Sequence, residues 1–166
     1  MNQETFKAIQ GPLKDTYREN PEQAIVTLRA SGIMGENVSC KVETGKALVQ
    51  AGLHPATGGD GTFICSGDML LEALVACAGV TLGAVSTSLG IPIKNGNVRA
   101  EGDIDFRGTL GVSKEAPVGF KNIRLYFDLD TDADEEQLAA LLKLTERYCV
   151  VLQTLKHSCE ISSQYS

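Results

Sequence analysis

The sequence predicts an α+β fold. Two long apolar stretches carry residues at three- and four-residue steps, and several short stretches alternate apolar with polar residues. Strands, helix, strands, helix and strand follow one another, without the strict alternation that parallel βαβ units need. At 166 residues the chain is expected to form one domain with a true core, residues 23–166, preceded by an arm at 1–22.

The arm is polar, carries Pro12 and Pro21, and reads as a frayed segment or short helix. Ala24, Val26 and Leu28 then alternate with polar residues as a strand would, ahead of a turn at Gly32–Gly35 and a second strand near Val38–Glu43. A third extended segment is expected at Ala47–Ala51. The loop His54-Pro-Ala-Thr-Gly-Gly-Asp-Gly follows, where glycines permit positive φ and the proline blocks a helix. Ser66 and Asp68 can each cap a long helix whose inward face reads Leu70, Ala73, Leu74, Cys77, Val80, Thr81 and Ala84. Gly90 and Pro92 stop it. Strands at Val98–Phe106 and Phe120–Asp130 alternate cleanly and are expected to pair as an antiparallel hairpin. Thr131-Asp-Ala-Asp-Glu-Glu places acids where the dipole of a second helix favours negative charge. Its expected stripe is Leu138, Leu142, Thr145, Cys149 and Leu152, and a last strand at Ser158–Ser163 closes the chain.

Composition narrows the function. Hydrophobic content of 43% and charged content of 22% suit a folded chain. A formal charge of −6 argues against nucleic acid, which needs a basic surface. The absence of tryptophan argues against stacking platforms for bases or sugars. The start has no secretory pattern, and Asp68, Glu72 and Ser86 bound the most apolar run too tightly for a membrane span. A cytoplasmic protein without a membrane partner is expected. The five cysteines, at 40, 65, 77, 149 and 159, include no Cys-x-x-Cys and no Cys/His cluster, so neither a metal nor another cofactor is expected.

Cys77 and Cys149 lie in the two most apolar helical stretches. A cysteine on an apolar helix face is ordinarily a small core residue, and periodicity alone leaves that reading beside a redox one. The block Leu70-Leu-Glu-Ala-Leu-Val-Ala-Cys77 resembles the central-helix signature of the OsmC/Ohr family, the osmotically induced and organic hydroperoxide resistance proteins. Gly58-Gly59 ahead of it, the strand pair behind it and the 72-position interval to Cys149 resemble the family's order of features over roughly Ala24 to Ser162. The resemblance implies antiparallel sheets around two long central helices in an intertwined homodimer. It also implies a thiol peroxidase: Cys77 attacks an organic hydroperoxide and becomes a sulfenic acid, Cys149 resolves it as a disulfide, and a dithiol reductant reopens the bond.

An unperturbed thiol is only a few per cent ionised at neutral pH, and burial lowers that fraction, so a peroxidatic Cys77 is expected to need a cation held by a carboxylate. Arg29 and Asp68 are the candidates. Gly67 stands where peroxidase members carry glutamate, with Asp68 one step later, where it also suits a helix cap. Val150 stands where the family carries proline, which predicts loss of the local helix start after Cys149. Cys40, Cys65 and Cys159 read as structural, and His54 as a loop residue able to line a pocket mouth. The alternatives are a non-enzymatic protein whose apolar cavity binds a small hydrophobic ligand, and a redox sensor that oxidises without turnover.

Overall fold

In a computed structural model of the chain, which describes residues 2–20, 31–35, 39–43, 48–111 and 113–165, the elements run α1 (Gln3–Glu19), β1 (Ser31–Gly35), β2 (Ser39–Glu43), β3 (Leu48–Gly52), β4 (Ile64–Cys65), α2 (Ser66–Leu89), β5 (Asn95–Ile104), α3 (Phe106–Thr109), β6 (Phe120–Asp130), α4 (Glu135–Tyr148) and α5 (Val150–Lys156). The fold mixes an antiparallel sheet with one long helix. The residues form two compact units. Unit 1 holds Met1–Pro12, Ala73–Arg99 and Tyr126–Ser166; unit 2 holds Leu13–Glu72 and Ala100–Leu125.

In unit 2 the sheet order is β1-β2-β3-β4. The first two pairings are antiparallel, with Ile33 opposite Lys41 and Val42 opposite Val49. The third is parallel, with Ala51 opposite Ile64. The expected Ala24–Leu28 strand lies outside the described residues. Gly32–Gly35, expected as a turn, is instead part of β1: glycine accepts extended backbone as readily as a turn, and pairing with β2 decides between them. Between β3 and β4, Pro55–Thr57 forms one 3-10 turn ended by Gly58 at φ 92°. Strand β5 stops at Ile104, two residues before the expected end. Phe106 opens the short helix α3, whose first turn is capped by the Asp105 carboxylate accepting the Arg107 N–H at 3.2 Å. Gly102 lies under the Phe120 ring, where a Cβ would approach to 2.4 Å, so this strand crossing excludes a side chain.

In unit 1 the core is built where α2 meets α4 and the β5/β6 pair, from Leu82, Val85, Ile91 and Leu141, with Val98, Phe127 and Leu129 packed against it. Helix α2 is long and apolar enough to cross a membrane by length and composition. Its buried residues are Leu74, Ala78, Leu82, Val85 and Ser86, a stripe turned away from the expected one; Val80, expected inside, is 76% exposed. A helix apolar nearly all round gives a weak directional signal, so packing chooses the face. The helix ends as Gly90 and Pro92 predict. Gly90 takes φ 70°, its N–H donates to the Thr87 carbonyl at 3.3 Å, and the Ile91 N–H donates to Ser86 at 3.0 Å.

Helix α4 starts with a capping box. The Asp134 carboxylate accepts the Gln137 N–H at 2.8 Å, and the Gln137 amide oxygen accepts the Asp134 N–H at 3.0 Å. Its fully buried residues are Leu141 and Thr145, and it stops at Tyr148 instead of running on to Leu152. Residues 158–165 are irregular and exposed, with no strand partner among the described residues, so the expected last strand is absent from this chain taken singly. Leu141→Ala should cost ~2–5 kcal/mol, because it removes a fully buried side chain at the centre of this core. Urea denaturation of the two chains measures the difference.

Candidate functional site

The two helical cysteines meet. Helix α4 ends at Cys149, whose backbone takes φ −72° and ψ 105°, an extended conformation that breaks the helix for one residue before α5 resumes at Val150. Cys149 is thus the C-cap of one helix and the N-cap of the next, and it is completely buried. The helix start expected to be lost without proline is kept. Val150 occupies the first helical position with its N–H intact, since the chain direction at Cys149 rather than a rigid φ sets the restart.

Cys77 projects from α2 against this break and is half-buried. Burial pushes its thiol up, but hydrogen bonds from the Val151 N–H, the Cys149 thiol, the Val150 N–H and the Thr81 hydroxyl more than reverse this, so Cys77 lies below the ordinary cysteine value. Cys149 moves the other way. Burial raises it, and the Leu152 N–H opposes this, but the hydrogen bond to Cys77 and the charge on the Cys77 sulfur raise it further. The two thiols therefore shift in opposite directions, and Cys77 is the more readily ionised of the pair. Both thiols are free, with no disulfide between them.

Sequence reasoning expected a cation to ionise Cys77. Among the described residues the groups that act most on it are hydrogen-bond donors. Two of them are main-chain N–H groups, which carry no signature in the amino-acid pattern, and Thr81 was placed only as part of an apolar stripe. Its hydroxyl also donates to the Cys77 carbonyl at 2.8 Å.

The other candidates fall elsewhere. Arg29 lies outside the described residues. Asp68 is exposed in the first turn of α2, in unit 2, and lines a cavity of about 360 Å³ with His54, Cys65, Leu71, Phe106 and Phe120. His54 does line this opening: its ring stacks on Phe106 with centroids 4.8 Å apart, and its Nδ1 accepts the Ala56 N–H at 3.0 Å. Arg147 is directed at the ring of Tyr148. Cys159 is exposed in the irregular tail. No group of three His, Cys, Asp or Glu residues among those described is placed to hold a metal ion.

Comparison with known proteins places the fold. A family model described as OsmC-like protein matches residues 59–164. The structure is similar to that of an OsmC-like protein from Mycoplasma pneumoniae, with a TM-score of 0.68 at 14% identity over 80% of this chain and 89% of that one. It is also similar to an organic hydroperoxide resistance protein OsmC from Legionella pneumophila, with a TM-score of 0.63 at 16% identity over 80% and 90% of the two chains. A third is an organic hydroperoxide resistance protein from Elizabethkingia anophelis, with a TM-score of 0.63 at 16% identity over 81% and 91%. No curated protein sequence matches the chain.

The opposite shifts give a pH prediction. Alkylation of Cys77 should reach half its maximal rate below the pH of a free cysteine, and that of Cys149 above it. Replacing Cys149 by alanine should move the Cys77 midpoint upward, because a donor to its thiolate is lost. Iodoacetamide labelling followed by peptide mass spectrometry across pH reads both.

Proposed function

The chain belongs to the OsmC-like protein family, and on that footing we propose that it reduces organic hydroperoxides through Cys77 and Cys149. The observation that carries this reading is the contact between two free thiols in opposed environments, one half-buried and shifted down in pKa, the other buried and shifted up. A nucleophilic thiolate and a partner thiol within disulfide reach are what a two-step thiol peroxidase requires.

The Cys77 thiolate attacks the distal oxygen of the hydroperoxide, the O–O bond breaks, and an alcohol leaves while the sulfur is oxidised to sulfenic acid. Cys149 then attacks that sulfur, a disulfide forms and water leaves. A dithiol reductant reopens the bond by exchange. The main-chain donors from Val150 and Val151 favour the Cys77 thiolate. Arg29 and Asp68 enter this reading as an auxiliary cation and carboxylate. The relatives named for organic hydroperoxide resistance support the substrate class.

A homodimer is part of the proposal. Only 28% of the most apolar window of α2 is buried within one chain, and Leu70 and Val80 are 37% and 76% exposed beside small residues that permit close helix approach.

Cys77→Ser should abolish consumption of cumene hydroperoxide. Turnover at the unsubstituted rate would end the peroxidase reading, and a Cys77–Cys149 disulfide formed in the unsubstituted chain without turnover would favour a sensor. Val80→Glu should shift the sedimenting species toward the monomer mass, because an unpaired carboxylate would be buried at the interface.

A further inference from the structure

The break at Cys149 takes a donor away from the helix before it. In a continuous α-helix the carbonyl of residue 146 accepts the N–H of residue 150, four positions on. The extended backbone of Cys149, at φ −72° and ψ 105°, turns the Val150 N–H out of that register. It is found instead among the donors to the Cys77 sulfur. A carbonyl released in this way needs a new partner, because an unmet main-chain acceptor would draw the N–H back and close the helix.

Helix α5 supplies that partner itself. The Gln153 side-chain amide reaches back across the break and donates to the Glu146 carbonyl at 2.7 Å. The Cys149 N–H still donates to the Thr145 carbonyl at 3.0 Å, and the Gln153 main-chain N–H donates to the Cys149 carbonyl at 2.9 Å, so the ladder runs up to the break and resumes after it. A second strap crosses nearby: the Lys156 ammonium meets the Glu146 carboxylate at 3.0 Å, with both side chains about half exposed.

We propose that Gln153 is a positioning residue for Cys77: its side-chain amide occupies the Glu146 carbonyl in place of the Val150 N–H and so leaves that N–H to the sulfur. This rests on the reading of Cys77 as the nucleophile and deepens it, by naming the side chain that keeps the helix open beside it. The Lys156–Glu146 pair has no such part, since it engages the carboxylate and leaves the carbonyl alone. Of the groups that act most on the Cys77 thiol, Cys149 alone titrates and none is a charged side chain. The pH at which Cys77 becomes reactive therefore reports on its hydrogen bonds.

The test compares the full chain with Gln153→Met, which keeps the length and the helix preference but has no donor, and with Lys156→Met, which removes only the ion pair. Iodoacetamide labelling across pH with peptide mass spectrometry reads the Cys77 midpoint, and urea denaturation reads stability. Gln153→Met should raise the midpoint by about one pH unit, the low end for losing one hydrogen bond to a charged group. Lys156→Met should leave the midpoint in place, whatever it does to the urea transition. An unchanged midpoint in Gln153→Met would overturn the positioning role. Equal rises in both variants would overturn it too, because they would show only a general mooring of α5. In the unsubstituted chain the Val150 amide resonance should move with the Cys77 midpoint, and an amide indifferent to that ionisation would overturn the proposal without any variant. The expected midpoints in a chain inert to cumene hydroperoxide would sink the peroxidase reading and leave the role of Gln153 standing.

Discussion

The one-residue break at Cys149 is the constraint on which the site depends. Had α4 run on through Val150, the main-chain N–H groups there would be consumed within the helix. Because Cys149 is extended, α5 begins afresh and its first N–H groups need partners. The Cys149 side chain makes no capping hydrogen bond to them. The Cys77 sulfur takes that place as acceptor, so a helix start and a sulfur atom satisfy each other. Hydrogen bonds to a charged group contribute about 1.5–3 kcal/mol each, enough for two or three of them to offset the partial burial of a thiolate.

The break is held from both sides. Helix α4 is pinned at its start by the Asp134–Gln137 capping box, and Leu141 and Thr145 anchor its buried face. Helix α2 is ended by the Gly90 turn, and its C-terminal carbonyl at Ser88 accepts the Gln3 amide at 2.9 Å. The Thr131 hydroxyl reaches the Pro92 carbonyl at 2.7 Å, tying the segment after α2 to the segment before α4. These local restraints fix where along each helix the two sulfurs stand.

Opposed environments set two adjacent titratable groups apart. Cys149 has no exposure and its thiol is pushed up; Cys77 has partial exposure and several hydrogen-bond partners, and its thiol lies below the ordinary value. The hydrogen bonds that lower the Cys77 thiol come in part from the main chain at Val150 and Val151, which owe nothing to the side chain at position 67.

Much of the architecture was legible in the residues. Ser66, Gly90 and Pro92 bound α2, the acids after Thr131 announce α4, and Phe120–Asp130 alternates as a strand, because caps, breakers and period-two patterns are local signals. The pairing of Cys77 with Cys149 was legible only through family resemblance. Three-dimensional packing settled what local pattern leaves open: which face of the evenly apolar α2 is buried, whether Gly32–Gly35 turns or pairs, and where α4 stops. It alone decided which groups lower the Cys77 thiol. Side-chain identity names a nucleophile, but the Val150 and Val151 N–H groups exist in almost every residue type, and only the path of the backbone aims them at sulfur.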